Sequence, residues 1–165
     1  MDSIYLVGFM GSGKSSVAEE VEKQLNLPLF DTDQIIEEKT NKKITEIFAE
    51  DGEAVFRDLE TAVLKDLPST DAIISTGGGI VERQENQKFL KEQLCVIFLD
   101  ASWETITKRL SNDTNRPIWL NKDRDKQKLL ESRKPIYKSV ATLILKTDNK
   151  EPDELASEII THIKG

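Results

Sequence analysis

Gly8-Phe9-Met10-Gly11-Ser12-Gly13-Lys14-Ser15 fits the phosphate-loop pattern G-x-x-x-x-G-K-[ST], and both of its flanks suit it. Ahead of it, Ile4-Tyr5-Leu6-Val7 is a short apolar run of the kind that forms a buried parallel strand. Behind it, Val17, Val21 and Leu25 recur four apart on one face, which predicts a helix over 14–25. A glycine-rich turn from strand to helix lets the backbone wrap phosphate oxygens, while N–H groups and the helix N-terminus face the polyanion. In that geometry Lys14 reaches the β- and γ-phosphates and the Ser15 hydroxyl ligates Mg²⁺. The segment Gly11-Ser12-Gly13-Lys14-Ser15-Ser16 is therefore assigned to a nucleoside triphosphate.

Working outward, strand-like runs at 4–7, 27–30, 72–75, 96–99 and 142–145 alternate with helical patterns. The helical patterns fall near 14–25, 34–40, 44–67, 82–92, 103–111, 125–138 and 153–163. Such alternation predicts an α/β fold: a five-stranded parallel sheet flanked by helices on both faces, in one domain over 1–165. Two stretches break the rhythm. Residues 44–67 hold two helical segments around Asp51-Gly52, and the segment about 33–60 is expected to hold the acceptor. Residues 112–124 are polar and turn-rich; Arg116-Pro117 and Trp119 favour a lid that excludes water during transfer over a plain surface loop.

Composition narrows the partners. Acidic residues outnumber basic ones 30 to 23 in 165, for a net charge of −7 and a pI near 4.9. That argues against nucleic-acid and membrane-surface partners, which favour basic patches. No basic-then-apolar leader and no run of membrane-spanning length is visible, so a cytoplasmic setting is expected. The single cysteine, Cys95, lies in the apolar run 94–99 and reads as an inert core thiol. His162 has no visible partner and reads as a packing or surface residue.

Three further groups can carry chemistry. The second strand-like run leads into Asp31-Thr32-Asp33, and ligands collect at the carboxyl ends of parallel strands. Residues two apart on a strand point the same way, so both carboxylates can line one crevice. One suits Mg²⁺ or the acceptor hydroxyl and the other substrate hydroxyls, although Asp33 could instead cap the next helix. Arg57 and Glu60 stand three apart on a helical face. Either they form a weak surface ion pair, or Glu60 orients Arg57 to grip a carboxylate bidentately. Ser75-Thr76-Gly77-Gly78-Gly79 ends the third strand-like run, where three glycines would let backbone and its N–H groups approach a ligand closely. No nucleophile–base pair stands out, as expected for phosphoryl transfer.

Taken together these residues resemble the shikimate kinase family. The resemblance runs through Gly8–Ser15, Asp31-Thr32-Asp33, the Gly-Glu-x-x-Phe-Arg-x-x-Glu core ending at Glu60, Ser75–Gly79, Arg109, Arg116-Pro117 and Arg133-Lys134-Pro135-Ile136-Tyr137. It implies a three-layer P-loop kinase fold with a substrate-binding insertion and a lid. It implies transfer of the ATP γ-phosphoryl group to the shikimate 3-hydroxyl, a step toward the aromatic amino acids. By the same resemblance Asp33 binds shikimate hydroxyls, Arg57 and Arg133 hold its carboxylate, and Gly77, Gly78 and Gly79 add backbone contact. Lys14 and Arg116 stabilise the transferring group, with Asp31 beside Mg²⁺ or acting as base. Arg109 and the Asn149-Lys150-Glu151-Pro152 loop attend the adenine, Phe48 and Phe56 wall the acceptor pocket, and the enzyme is a monomer.

Some positions depart from the family pattern: Ser16 stands for a threonine, Ile118-Trp119 for two leucines, and Lys150 for an arginine. A gluconate kinase would need similar acceptor chemistry. A regulatory GTPase would need an Asn-Lys-x-Asp signature, which Asn121-Lys122-Asp123-Arg124 and Asn149-Lys150-Glu151-Pro152 both lack. A degenerate, non-catalytic relative sits poorly with an intact Lys14, Ser15, Asp31, Asp33, Arg57 and Arg133.

Overall fold

The computed structural model describes residues 1–110 and 123–165, excepting the side chains of residues 123 and 124. Strand β1 (Ile4–Val7) runs through the phosphate loop into α1 (Lys14–Leu25), followed by β2 (Leu29–Asp31), α2 (Thr32–Thr40), α3 (Ile44–Glu50) and α4 (Glu53–Asp66). Then come β3 (Ile73–Ser75), a 3-10 turn (Ile80–Glu82), α5 (Gln84–Lys91), β4 (Val96–Asp100) and α6 (Trp103–Leu110). The last elements are α7 (Asp123–Val140), β5 (Leu143–Lys146) and α8 (Pro152–Lys164). All strand pairs are parallel, in the order β2-β3-β1-β4-β5. This is the five-stranded parallel α/β sheet expected from the alternation.

Strand β1 is central, and all four of its side chains are buried. A parallel strand covered on both faces has no reason to alternate with polar residues. Its side chains still point alternately to the two faces. Ile4 and Leu6 join Val17 and Val21 of α1 and Leu155 and Ile159 of α8. Tyr5 and Val7 pack on the other face with Leu64, Ile106 and Tyr137. A third cluster, Ile36, Ile47, Phe56 and Val63, ties α2, α3 and α4 into a subunit at the edge.

Several boundaries have local causes. The strand expected at 27–30 begins only at Leu29, because Pro28 has no N–H for a ladder; its carbonyl accepts from Ile73 N at 2.9 Å. The expected break near Asp51-Gly52 is real: Gly52 takes φ 91° as N-cap of α4, a conformation costly for any side chain. Helix α7 runs beyond the expected 125–138 at both ends and continues through Pro135.

Candidate active site

The sheet order reverses direction at β1, with β3 on one side and β4 on the other, so a crevice opens outside the carboxyl ends of β1 and β3. A cavity of about 250 Å³ occupies it. Its walls include Gly11, Gly13, Lys14, Ser15 and Ser16 from the phosphate loop, Asp31 and Asp33, Gly77 and Gly78, and Arg109. Most of the residues assigned from sequence thus meet in one place.

The phosphate loop is held open by its glycines. Gly13 is the N-cap of α1 at φ 96°, and a Cβ on Gly11 would lie 2.9 Å from Leu110 of α6. Lys14 Nζ donates to the carbonyls of Gly8 at 2.6 Å and Phe9 at 3.0 Å, so the ammonium lies across its own loop. Arg109 closes the opposite wall, donating from Nη1 to Gly11 O at 3.1 Å. Ser12 is not among the cavity walls: its side chain is buried beneath Gly8, and its N–H donates to Phe9 O at 3.1 Å.

The carboxylates reach the cavity by a different route from the one the strand period suggested. Strand β2 ends at Asp31, and Thr32 already begins α2. Asp31, not Asp33, is the N-cap, accepting from Gln34 N at 3.2 Å. Asp33 sits in the first helical turn, and the tight strand-to-helix junction brings both side chains to the same crevice.

The three glycines after β3 also work differently from the expected set of ligand-facing amides. Gly77 N–H donates to Thr32 Oγ1 at 3.1 Å, and the Gly78 carbonyl accepts from the Tyr137 hydroxyl. What requires glycine is side-chain crowding. A Cβ on Gly77 would stand 2.6 Å from Asp33 Oδ1 and 3.1 Å from Glu60 Oε2. One on Gly79 would overlap the Arg57 guanidinium, whereas one on Gly78 would make only ordinary contact, 3.6 Å from Arg133 Nη1. A single glycine turn therefore lets Asp33, Arg57, Glu60 and Arg133 converge. Gly79, Arg57 and Arg133 are not among the cavity walls; the arginines stand behind Gly79 and Gly78, of which only Gly78 lines the cavity.

Burial decides between the two readings of Arg57 and Glu60. Glu60 is 0% exposed and Arg57 11%, with Nη1 to Oε1 at 2.8 Å, so this is an interior pair. Burial raises the Glu60 carboxyl above its ordinary 4.5, and Asp33 adds to that, while Arg57 pulls it back down. Among the described residues Glu60 Oε2 and Arg57 Nε make no hydrogen bond. The Arg57 guanidinium lies 5.3 Å from the Phe56 ring centre, and Phe56 packs on Phe48 at 4.9 Å. Arg133 on α7 is likewise nearly buried, 5.8 Å above the Phe9 ring, with Nε donating to Glu82 Oε1 at 2.6 Å. Glu82 carried no signal in the sequence. Tyr137 lay inside a matched motif without a role assigned.

Other assignments fall away from the cavity or outside the described residues. Lys150 is not among the cavity walls; its Nζ pairs with Glu158 of α8 at 3.0 Å. Arg116 and residues 112–122 of the expected lid lie outside the described residues. Cys95 is buried and its thiol is pushed up to about 11 by desolvation, which matches the inert thiol expected.

The Shikimate kinase family profile matches residues 10–164 of this chain. A shikimate kinase of Bacillus cereus (strain AH187) is 41% identical over 159 residues, 96% of each chain. One from Enterococcus faecalis is 39% identical over 167 residues, 99% of each. The solved structure of a shikimate kinase from Acinetobacter baumannii in complex with shikimate superposes with a TM-score of 0.94 at 35% identity, covering 99% of this chain and 93% of that one.

Proposed function

The chain belongs to the shikimate kinase family and transfers the γ-phosphoryl group of ATP to the 3-hydroxyl of shikimate, and we propose that it does so in the crevice at the carboxyl ends of β1, β2 and β3. The observation that carries this placement is the convergence of Asp33, Arg57, Glu60 and Arg133 on one glycine turn beside the phosphate loop. Shikimate is a small carboxylate bearing three hydroxyls. Two arginines beside the pocket and one carboxylate in its wall offer partners for the carboxylate and the hydroxyls.

Each role follows from position. Lys14 leaves the carbonyls of Gly8 and Phe9 to meet the β- and γ-phosphates, stabilising charge as the phosphoryl group moves. Arg109 flanks the nucleotide from α6, and Arg116 is assigned to the transferring group by its motif. Arg57, fixed by Glu60 and Phe56, and Arg133 grip the shikimate carboxylate, while Asp33 accepts from its hydroxyls and Asp31 orients the attacking one. Glycines 77–79 keep these groups close together.

Mg²⁺ fits the donors present. Ser15 and Asp31 share the walls of both the main cavity and a smaller one of about 200 Å³ next to it. Mg²⁺ is bound through few protein oxygens together with water and phosphate, and among the described residues no cluster of three or more His, Cys, Asp or Glu side chains competes for it. When bound it would neutralise phosphate charge. Among the described residues no helix is long and apolar enough to cross a membrane, and the relatives reported above are bacterial. A cytoplasmic monomer is the reading adopted.

ADP release from ATP and Mg²⁺ with shikimate, gluconate or no acceptor tests the proposal. Release that depends on shikimate is expected; equal rates with gluconate, or release without an acceptor, would contradict the assigned acceptor site.

A further inference from the structure

We infer that Glu82 is a positioning residue for acceptor recognition: it clamps Arg133 through Nε, so that a terminal nitrogen faces the glycine turn and can meet a carboxylate. The inference rests on the reading above that Arg133 binds the shikimate carboxylate.

An arginine can meet a carboxylate side-on, through Nε and one Nη, or end-on through both Nη atoms. In this chain Nε is taken by Glu82 Oε1 at 2.6 Å. Nη1 points at the glycine turn, 3.6 Å from where a Gly78 side chain would begin, and Gly78 lines the cavity. The Phe9 ring lies beneath the guanidinium, and the Tyr137 hydroxyl, one helical turn along α7, donates to the Gly78 carbonyl and is hydrogen-bonded to Arg133. With Nε engaged, a carboxylate meets this arginine through its terminal nitrogens.

Glu82 is itself rigidly placed. It ends the 3-10 turn that follows Gly79, and its N–H donates to Gly79 O at 3.0 Å. Ile80 and Val81 are buried in the core. The carbonyls of Ile80 and Val81 accept from Asn86 Nδ2 at 3.0 Å and Gln87 Nε2 at 2.7 Å. The glycine turn and the clamp on Arg133 are thus one continuous piece of backbone. A nearly buried guanidinium with no counter-charge is costly, and a glutamate at the rim supplies that charge while staying in contact with water. Arg57 with Glu60 and Arg133 with Glu82 then form two arginine–glutamate pairs flanking the same three glycines.

Steady-state kinetics of E82A, E82M, E82Q, R133A and E82A/R133A test this, with shikimate and ATP varied separately and thermal midpoints measured alongside. Losing a charge-assisted bond to a flexible cation predicts a rise in the KM for shikimate of about tenfold in E82A and E82M. The KM for ATP should stay unchanged and kcat should fall less than about threefold. E82Q retains an accepting oxygen, so it should fall nearer the wild type, and E82A should add less than about twofold in the R133A background. E82M keeps the bulk of the side chain and carries the test if E82A fails to fold. An unchanged or lowered KM for shikimate in E82A or E82M, with R133A strongly impaired, would overturn the inference and leave the role of Arg133 standing. An E82Q as impaired as E82M would also overturn it. R133A with an unchanged KM for shikimate would remove both the reading of Arg133 and the inference built on it.

Discussion

Lys14 illustrates how a residue can be identified from sequence while its resting position cannot. The motif names it, but only the structure puts its ammonium on the Gly8 and Phe9 carbonyls. Lys14→Ala should lower kcat by about 10² or more, because the charge developing on the transferring group loses its nearest cation. Single-turnover measurements with shikimate saturating check this, and a kcat within threefold of the wild type would contradict it. Glu60 gives a pH prediction. Its folded carboxyl is raised above 4.5, chiefly by burial, so its contribution to stability is present below 4.5 and is lost as pH rises through the higher folded value. Denaturant titrations from pH 4 to 8 should show wild-type stability declining relative to E60Q over that rise, and a gap constant with pH would refute the buried-charge account. Cys95, raised to about 11, should alkylate far more slowly in the folded protein than in the unfolded chain at pH 8. Lys14, Asp31, Asp33 and Arg57 were legible because each sits at a strand end or within a short motif. Glu82 was not, since its partner lies 51 residues away and no local pattern links them.

At the level of elements, the glycine turn after β3 is the part whose purpose the sequence half concealed. Three glycines at a strand end signal close approach, but not what approaches. The structure shows that side chains do, with Asp33 and Glu60 crowding the position of a Gly77 Cβ and Arg57 that of a Gly79 Cβ. Gly79→Ala is therefore informative, because its methyl would displace the flexible end of Arg57 without entering the cavity. The KM for shikimate should rise about tenfold or more, through loss of a bidentate contact, and the thermal midpoint should fall as Glu60 loses its partner, while the KM for ATP changes little. A fall in ATP affinity with shikimate affinity spared would contradict the division of the crevice. Element existence was readable from alternation and periodicity, since parallel strands and amphipathic helices impose different repeats. The ends were less so. Pro28 delayed β2, and the junction at Asp31 converted an expected strand pair of carboxylates into a helix cap and a first-turn residue.

Over the whole molecule, an excess of seven negative charges coexists with a cluster of cations around one crevice: Lys14, Arg57, Arg109 and Arg133. The overall charge suppresses binding to polyanions, while the local field still receives two small anionic substrates. Sedimentation equilibrium should return the monomer mass of 18.7 kDa with and without substrates, and a doubled mass would contradict the monomer. The fold follows from composition and pattern because each layer buries a continuous apolar surface. The site is harder to read because its parts come from the phosphate loop and α1, the end of β2, α2, α4, the turn after β3, α6 and α7, which only the folded sheet brings together. The central claim is that this convergence is the acceptor site. A crystal structure of this protein with shikimate, ADP and Mg²⁺ tests it most directly. The account predicts the shikimate carboxylate within hydrogen-bond distance of both Arg57 and Arg133, with ring hydroxyls on Asp33. A carboxylate bound instead at Lys14 or Arg109, with Asp33 and Arg133 untouched, would contradict it.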